Sequence, residues 1–292
     1  MKILFVRHKY NSTFIKNDLE ILRKHYNVED FYYTPGKTLQ LFKKIKECDL
    51  IYIWFISYPA YLVGLINKLY KKPVILIAGG YGVQSDVLKK HRIFKLMVKS
   101  AIKNASRILA VSEFTRQEVF NLCFWICPKV NVVYNGVDLK QFHNYKIRDN
   151  ARPVVITVGI INSWARYYLK GIDKFIEYAR QTPDAEFYVI GMSEHIGNKI
   201  QDRPLNVHFY LPVTQQELVY FYNAADMYCQ FSKYESFCLT LLEALACGCT
   251  VLFTPKTGMD EIFNNRNNLS MFSIKNREKE LIKILNNYRK WY

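Results

Sequence analysis

"FSKYESFCLTLLEALACG", residues 231–248, is the stretch whose reading decides the fold. Its two glutamates, Glu235 and Glu243, stand eight residues apart, and the second is set among apolar side chains. The overlapping "MYCQFS" reads as a strand, and Ser236 is an acceptable helix N-cap. A helix from about Phe237 to Cys247, stopped by Gly248, follows from that. Glu235 then falls in the loop at the strand's carboxyl end, and Glu243 lies about two turns inside the helix. Glutamate is a good helix former and would be ordinary on an exposed face. Between "LTLL" and "ALAC" there is almost no polar face for it. A buried carboxylate is costly unless something hydrogen-bonds to it. A ligand's hydroxyl pair would do so, and the free N–H groups of Phe237, Cys238 and Leu239 at the same terminus would suit a phosphate.

Outward from this stretch, short apolar runs alternate with amphipathic segments. "KILFV" precedes "FIKNDLEILRKHY", "LIYIWF" precedes "AYLVGLINKLY", and "PVILIAGG" leads into "FKLMVKSAIKN". "RILAVS" then leads into "EFTRQEVFNL". Such a repeat implies parallel sheets with helices on both faces. It breaks at "VNVVYNGVDLKQFHNYKIRDNARP", a polar stretch with an Asn-Gly turn, and restarts at "PVVITVG". The pattern predicts an α/β protein of two tandem doubly wound Rossmann-like domains, residues 1–146 and 147–292. Ligands of such sheets bind beyond the strands' carboxyl ends, so two facing domains make a cleft.

Composition narrows the function classes. Half of the 292 residues are hydrophobic and 15% aromatic, which excludes a disordered chain. The uncharged run at residues 50–67 approaches a spanning length, but Pro59 at its centre favours strand, loop and helix. "MKILFVRHKY" carries no secretory signal, and seven cysteines form no framework, which points to reduced thiols in a cytoplasm. Cys123 with Cys127, or Cys247 with Cys249, lacks the partners of a zinc site, so no metal is expected. Net charge is +16 and is unevenly spread. Residues 1–146 hold 24 Lys+Arg against 10 Asp+Glu, a net of +14, and residues 147–292 hold 17 against 15, a net of +2. The basic half suits a phosphate-bearing partner: nucleic acid, anionic lipid or a charged substrate. Its lysines form no stripe with stacking aromatics, which disfavours nucleic acid.

A second cation site follows the strand "VVITVG". A loop with Arg166 leads to Lys170-Gly171 at a helix start, where a lysine opposes the macrodipole unless an anion is present.

These residues carry a resemblance. From "ILAVSEFTRQEV" and "VVYNGVDLKQF" through "LKGIDKFI" and "SKYESFCLTLLEALACG" to "GMDEIF", the chain resembles the family-four retaining glycosyltransferases, which have the two-domain GT-B fold. The resemblance implies a nucleotide-diphosphate sugar as donor, with no cofactor or metal. It implies that Glu235 bonds the donor sugar, that Glu243 binds the ribose hydroxyls, and that Lys170 neutralises the diphosphate beside Gly159 and the amides of Phe237, Cys238 and Leu239. The base would rest near "FYLPV", residues 209–213. Where the family has arginine after "VG" this chain has Ile160, and Arg166 is expected to substitute. The Gly-rich loop after the first strand is replaced by "RHKYNSTFIKND", and the chain ends soon after "LNNYRKWY", from which a shortened or mobile interdomain clamp is expected.

The expected activity is metal-independent transfer with front-face attack and electrostatic stabilisation of the leaving diphosphate. A sugar-nucleotide epimerase, a phosphorylase, a nucleic-acid-directed glycosyltransferase or binder, and an inactive sugar binder are the alternatives. In the family the first domain holds the acceptor, which its charge suggests is a lipid-linked or otherwise anionic glycan. Phe124, Trp125 and Ile126, if exposed beside Arg116 and Lys129, would dock the enzyme on the cytoplasmic face of an anionic membrane.

Overall fold

The computed structural model describes residues 1–287 apart from 9–11, 81, 85–87, 90, 124–128 and 146. Its chain divides into two compact units, Met1–Gly136 with Ile274–Tyr292, and Val137–Ser273.

Six parallel strands make the first sheet: β1 (Lys2–Arg7), β2 (Asn27–Tyr32), β3 (Leu50–Trp54), β4 (Val74–Ala78), β5 (Arg107–Ala110) and β6 (Val130–Val132). They lie in the order β2-β1-β3-β4-β5-β6. β3 and β4 are buried along their whole length, as apolar runs with no alternation require. Given the right-handed crossover rule for parallel strands, this strand order puts the helices Thr38–Glu47, Tyr58–Tyr70 and Arg92–Asn104 along one face of the sheet, and consecutive members pack on each other. Helix Thr13–His25 belongs to the opposite face, where helix Ile274–Asn286 joins it.

The second sheet holds β7 (Val154–Ile161), β8 (Glu186–Met192), β9 (Val207–Tyr210), β10 (Met227–Gln230) and β11 (Thr250–Phe253), in the order β11-β10-β7-β8-β9, again parallel.

Three expectations change. Pro59 is not in a loop. It occupies the first turn of helix Tyr58–Tyr70, where a missing N–H costs nothing. The boundary falls at Gly136/Val137, ahead of the expected 146/147. The closing helix Ile274–Asn286, 13 residues long and expected in the second domain, belongs to the first unit. Its reason is one arginine. Arg277 is buried, its Nε lies 2.5 Å from Asp18 Oδ1 and its Nη2 2.8 Å from Oδ2, and Nη1 donates to the carbonyls of Val133 and Tyr134. Both chain passages between units meet at the bridge Val137–Ser273. With the helix reassigned, the first unit carries 28 Lys+Arg against 11 Asp+Glu, a net of +17, and the second 13 against 14, a net of −1.

Candidate functional site

In the second unit the chain runs β7 to β8 to β9 in one direction, then returns to lay β10 on the other side of β7. The crevice outside the carboxyl ends of β7 and β10 is therefore its topological switch point, where doubly wound sheets bind ligands. Lys170 follows β7 and Glu235 follows β10, and their side chains form an ion pair across that point, both largely buried. Burial disfavours the Lys170 charge, but the Glu235 carboxylate outweighs it and holds the lysine above its ordinary pKa. The anion that the lysine's position called for is supplied by the protein itself.

Local backbone geometry builds this pair. The register of β7 against β8 shifts between Val158 and Ile161. Beside that shift, a Cβ on Gly191 would stand 2.1 Å from the Gly159 carbonyl. A Cβ at Gly159 would lie 3.8 Å from Lys170 Cδ and Cε, an ordinary contact, so the lysine stem runs alongside this residue without requiring a glycine there. Gly171 has φ +68°, and a Cβ there would meet the Phe231 carbonyl at 2.1 Å, so only glycine lets this turn close on the β10 loop. Between strand and turn lies a helix the sequence did not announce, Trp164–Leu169, capped by Ser163. It carries Arg166, exposed, with Nε donating to the Ile160 carbonyl at 2.8 Å. Arg166 is close enough to Lys170 to oppose its charge, so two cations share this loop.

Behind Glu235 runs a chain of hydrogen bonds. Ser232 Oγ donates to Glu235 Oε1 at 3.0 Å, Gln230 Nε2 donates to Ser232 Oγ at 2.6 Å, and the Tyr228 hydroxyl donates to Gln230 Oε1. Tyr228 also meets Thr240 Oγ1 at 2.7 Å, which ties the strand to the next helix. All three supporting side chains are fully buried. Sequence reasoning passed over Ser232, Gln230 and Tyr228. The signal was there in two polar residues closing an otherwise apolar strand.

That next helix spans Leu239–Ala246, shorter than expected, and its N-cap is Cys238 where Ser236 was expected. Gly258 explains the delay: it donates its N–H to the Glu235 carbonyl, and its backbone presses on Ser236 so closely that a Cβ would be 2.1 Å from the Ser236 carbonyl oxygen. Held there, with the Phe237 ring buried near Phe272, the chain enters the helix two residues late. Leu239 alone of the three expected amides lies in the helix; Phe237 and Cys238 precede it. Burial, reinforced by Glu235, pushes the Cys238 thiol up to about 11, so it is protonated at neutral pH. Glu243 is 5% exposed, and its partner is a protein group: the Tyr222 hydroxyl donates to Oε2 at 2.9 Å. Burial still pushes the carboxyl up to about 7, with that hydrogen bond pulling the other way.

Phe209 and Leu211 of the "FYLPV" stretch line a cavity of about 560 Å³ beyond the ends of β8 and β9, walled by Met192–Glu194 and by residues of 197–203. Cys127, the aromatics Phe124 and Trp125, and Ile126 lie outside the described residues. Burial pushes the Cys247 and Cys249 thiols up to about 12, and among the described residues no group of three or more His, Cys, Asp or Glu could hold a metal.

The first unit has its own switch point, between β1 and β3. There His8 Nε2 and Ser57 Oγ meet at 2.7 Å, burial lowers the pKa of His8, and Phe55 holds a left-handed φ of 71°. The sequence offered "RHKY" in place of a Gly-rich loop without showing that His8 reaches the β3 loop.

Comparison with known proteins places this geometry. The family described as "Glycosyl transferases group 1" matches residues 145–290, and "Glycosyltransferase Family 4" matches residues 10–141. A D-inositol 3-phosphate glycosyltransferase of Mycobacterium sp. (strain KMS) is 27% identical over 179 residues, 55% of this chain and 40% of that protein. This chain thus spans less than half the length of that relative. Among solved structures, a sucrose-phosphate synthase from Thermosynechococcus elongatus matches with a TM-score of 0.75 at 14% identity over 100% of both chains. A glycosyltransferase from Rickettsia africae matches at 0.70 and 15%, over 99% of this chain and 98% of its own. At such identities the structures speak for the fold alone, two parallel α/β units of GT-B type. Since the first description covers half of the chain and the second most of the remainder, this protein belongs to the family-four glycosyltransferases of the GT-B fold.

Proposed function

We propose that this protein moves a sugar from a nucleotide-diphosphate sugar to an acceptor hydroxyl, with retention of configuration and without a metal. The observation that carries the reading is the Lys170–Glu235 ion pair at the switch point, with Arg166 beside it. A diphosphate arriving there competes with Glu235 for Lys170. Lys170 turns to the phosphate, and the released carboxylate accepts from a hydroxyl of the donor sugar. As the bond to the leaving group breaks, charge builds on the diphosphate, and the two cations stabilise it. Glu235 bonds a hydroxyl of the donor sugar and does not attack its anomeric carbon, so the acceptor attacks from the leaving-group side and its proton passes to the departing phosphate. Glu243 takes the ribose hydroxyls in place of, or together with, Tyr222. A net charge of +17 on the first unit favours an anionic or lipid-linked acceptor at a cytoplasmic surface. The mycobacterial relative is named for a phosphorylated polyol, which is also anionic.

A thermal-shift screen with UDP-, GDP- and ADP-sugars tests the donor side. One class is expected to stabilise the wild type, and Glu243→Ala should weaken that shift; an unchanged shift in Glu243→Ala would overturn the ribose assignment. NMR of the product then reads the anomer, and inversion would exclude retention. Epimerised donor without transfer would exclude the transferase itself. Loss of turnover in EDTA, restored by Mg²⁺ or Mn²⁺, would exclude metal independence.

A further inference from the structure

Residues 50–112 contain ten Lys and Arg and a single acid, Asp86. Two helices of this stretch, Tyr58–Tyr70 and Arg92–Asn104, pack on each other on one face of the first sheet. Helix Arg92–Asn104 turns Val98, Ala101 and Ile102 inward. At about 3.6 residues per turn its opposite side carries Ile93 and Leu96. They are 77% and 67% exposed. Arg92, Lys99 and Lys103 share that side, and Lys95 stands at its edge. Among the described residues none of these four cations enters an ion pair. Helix Tyr58–Tyr70 presents Leu65 and Leu69, the latter 72% exposed, next to Lys68.

A solvated face would not place aliphatic side chains at its centre with cations around them. A nucleic-acid surface would put hydrogen-bonding or stacking groups where Ile93 and Leu96 stand. An interfacial helix has this arrangement: apolar residues entering the boundary between headgroups and acyl chains, and basic residues meeting lipid phosphates. Among the described residues no helix is long and apolar enough to cross a membrane, so the contact is one of lying on the surface. The cations of the neighbouring segment 113–129 are committed elsewhere, Arg116 to Glu113 and Lys129 to the Ala105 carbonyl.

We propose that the outward faces of helices Arg92–Asn104 and Tyr58–Tyr70 dock this protein on an anionic phospholipid surface, with Ile93 and Leu96 as the inserting residues. The proposal uses nothing from the donor site, so it stands or falls apart from the transferase reading.

Co-sedimentation with phosphatidylcholine vesicles, with and without phosphatidylglycerol, at low and high salt, tests it. The wild type should bind the anionic vesicles and lose them at high salt. Each basic residue near such a surface is worth about fivefold, so Lys95→Gln/Lys99→Gln/Lys103→Gln should bind on the order of 100-fold more weakly. Ile93→Ser/Leu96→Ser should also weaken binding, and Leu96→Trp should show a blue-shifted emission when vesicles are added. All these positions are on the surface, and melting curves check that each variant folds. Equal absence of binding to both vesicles would overturn the proposal, as would binding unchanged in Ile93→Ser/Leu96→Ser. Duplex DNA displacing the vesicles, with Leu96→Trp emission unmoved by lipid, would assign the face to nucleic acid. Vesicle binding without any nucleotide-sugar shift would leave the docking face intact and remove the donor reading.

Discussion

Among the described residues two carboxylates are withdrawn from water, one in each unit, and the protein treats them in opposite ways. Asp18 meets the Arg277 guanidinium with both oxygens, at 2.5 and 2.8 Å, and accepts a third hydrogen bond from the Tyr52 hydroxyl at 2.6 Å. Its charge is matched, and the cluster has no vacancy for a ligand. Glu243 has a tyrosine hydroxyl for a partner and no cation, and burial moves its pKa to about 7. A matched buried pair fixes geometry: Asp18 and Arg277 fasten the last helix to the first sheet. A buried carboxylate with no cation beside it keeps acceptor capacity that a ligand's hydroxyls could use, which is why the ribose proposal rests on Glu243 and not on Asp18. Burial alone does not separate the two acids; the charge of the neighbour does.

Breaking the matched pair should give the largest effect. Arg277→Met leaves Asp18 buried without its cation and two backbone carbonyls without a donor. Removing one partner of such a pair costs about 3–5 kcal/mol. Urea unfolding should show a loss of that order, and hydrogen exchange should show helix 274–286 released. A loss under about 1 kcal/mol would mean that water replaces the guanidinium, and the contrast with Glu243 would collapse.

For Glu243 the effect depends on pH. Its folded pKa, about 7, is raised above the ordinary 4.5, so the folded chain keeps this proton after the unfolded chain has lost it. Between those values the folded state binds more protons, and stability falls as pH rises through that window, by roughly 3 kcal/mol in all. Glu243→Gln keeps an acceptor for Tyr222 and removes the titration. The variant should match the wild type near pH 4.5 and become more stable than it by pH 8. Parallel stability curves across that range would show that Glu243 is not desolvated as the structure has it.

The sequence made much of this legible, because periodicity reports burial. Fully buried β3 and β4 appear as unbroken apolar runs, and Glu243 stands out because its neighbours leave it no polar face. Edge elements were silent: β2, "NVEDFY", is half-exposed and has no apolar run to mark it. Partners were silent too. Tyr222 lies 21 residues before Glu243 in the chain, Lys170 lies 65 before Glu235, and Arg277 lies 259 after Asp18. Local pattern carries no record of such distances. The late helix start at Leu239 has the same origin, since the glycine that delays it is Gly258, a residue of the following loop.

The Lys170–Glu235 pair falls between the two extremes, matched in charge yet placed at a switch point. Lys170→Met should slow turnover of the donor found in the thermal-shift screen by roughly 10²-fold, the scale of one contact to developing charge. Melting temperature should change far less than in Arg277→Met, because Glu235 keeps its bond to Ser232. If Lys170→Met destabilised the chain as strongly as Arg277→Met and left turnover intact, the pair would belong with Asp18.

Arg166 should give the smallest effect. It lies near enough to the pair to oppose the Lys170 charge, but it is exposed and tethered to the Ile160 carbonyl. Water screens an exposed cation, so its pull on a diphosphate is weaker than that of buried Lys170. Arg166→Ala should slow turnover by about tenfold, which is about 1.4 kcal/mol, and the loss should shrink as salt is raised. Arg166→Lys keeps the charge but, with one primary ammonium, is not expected to hold the tether and approach a phosphate at once. It should therefore recover part of the rate and not all of it. Rates for Arg166→Ala equal to wild type at low salt would leave Lys170 as the cation that meets the leaving group. A loss as large as that of Lys170→Met, independent of salt, would instead mean that Arg166 leaves its carbonyl tether and becomes buried when the donor binds.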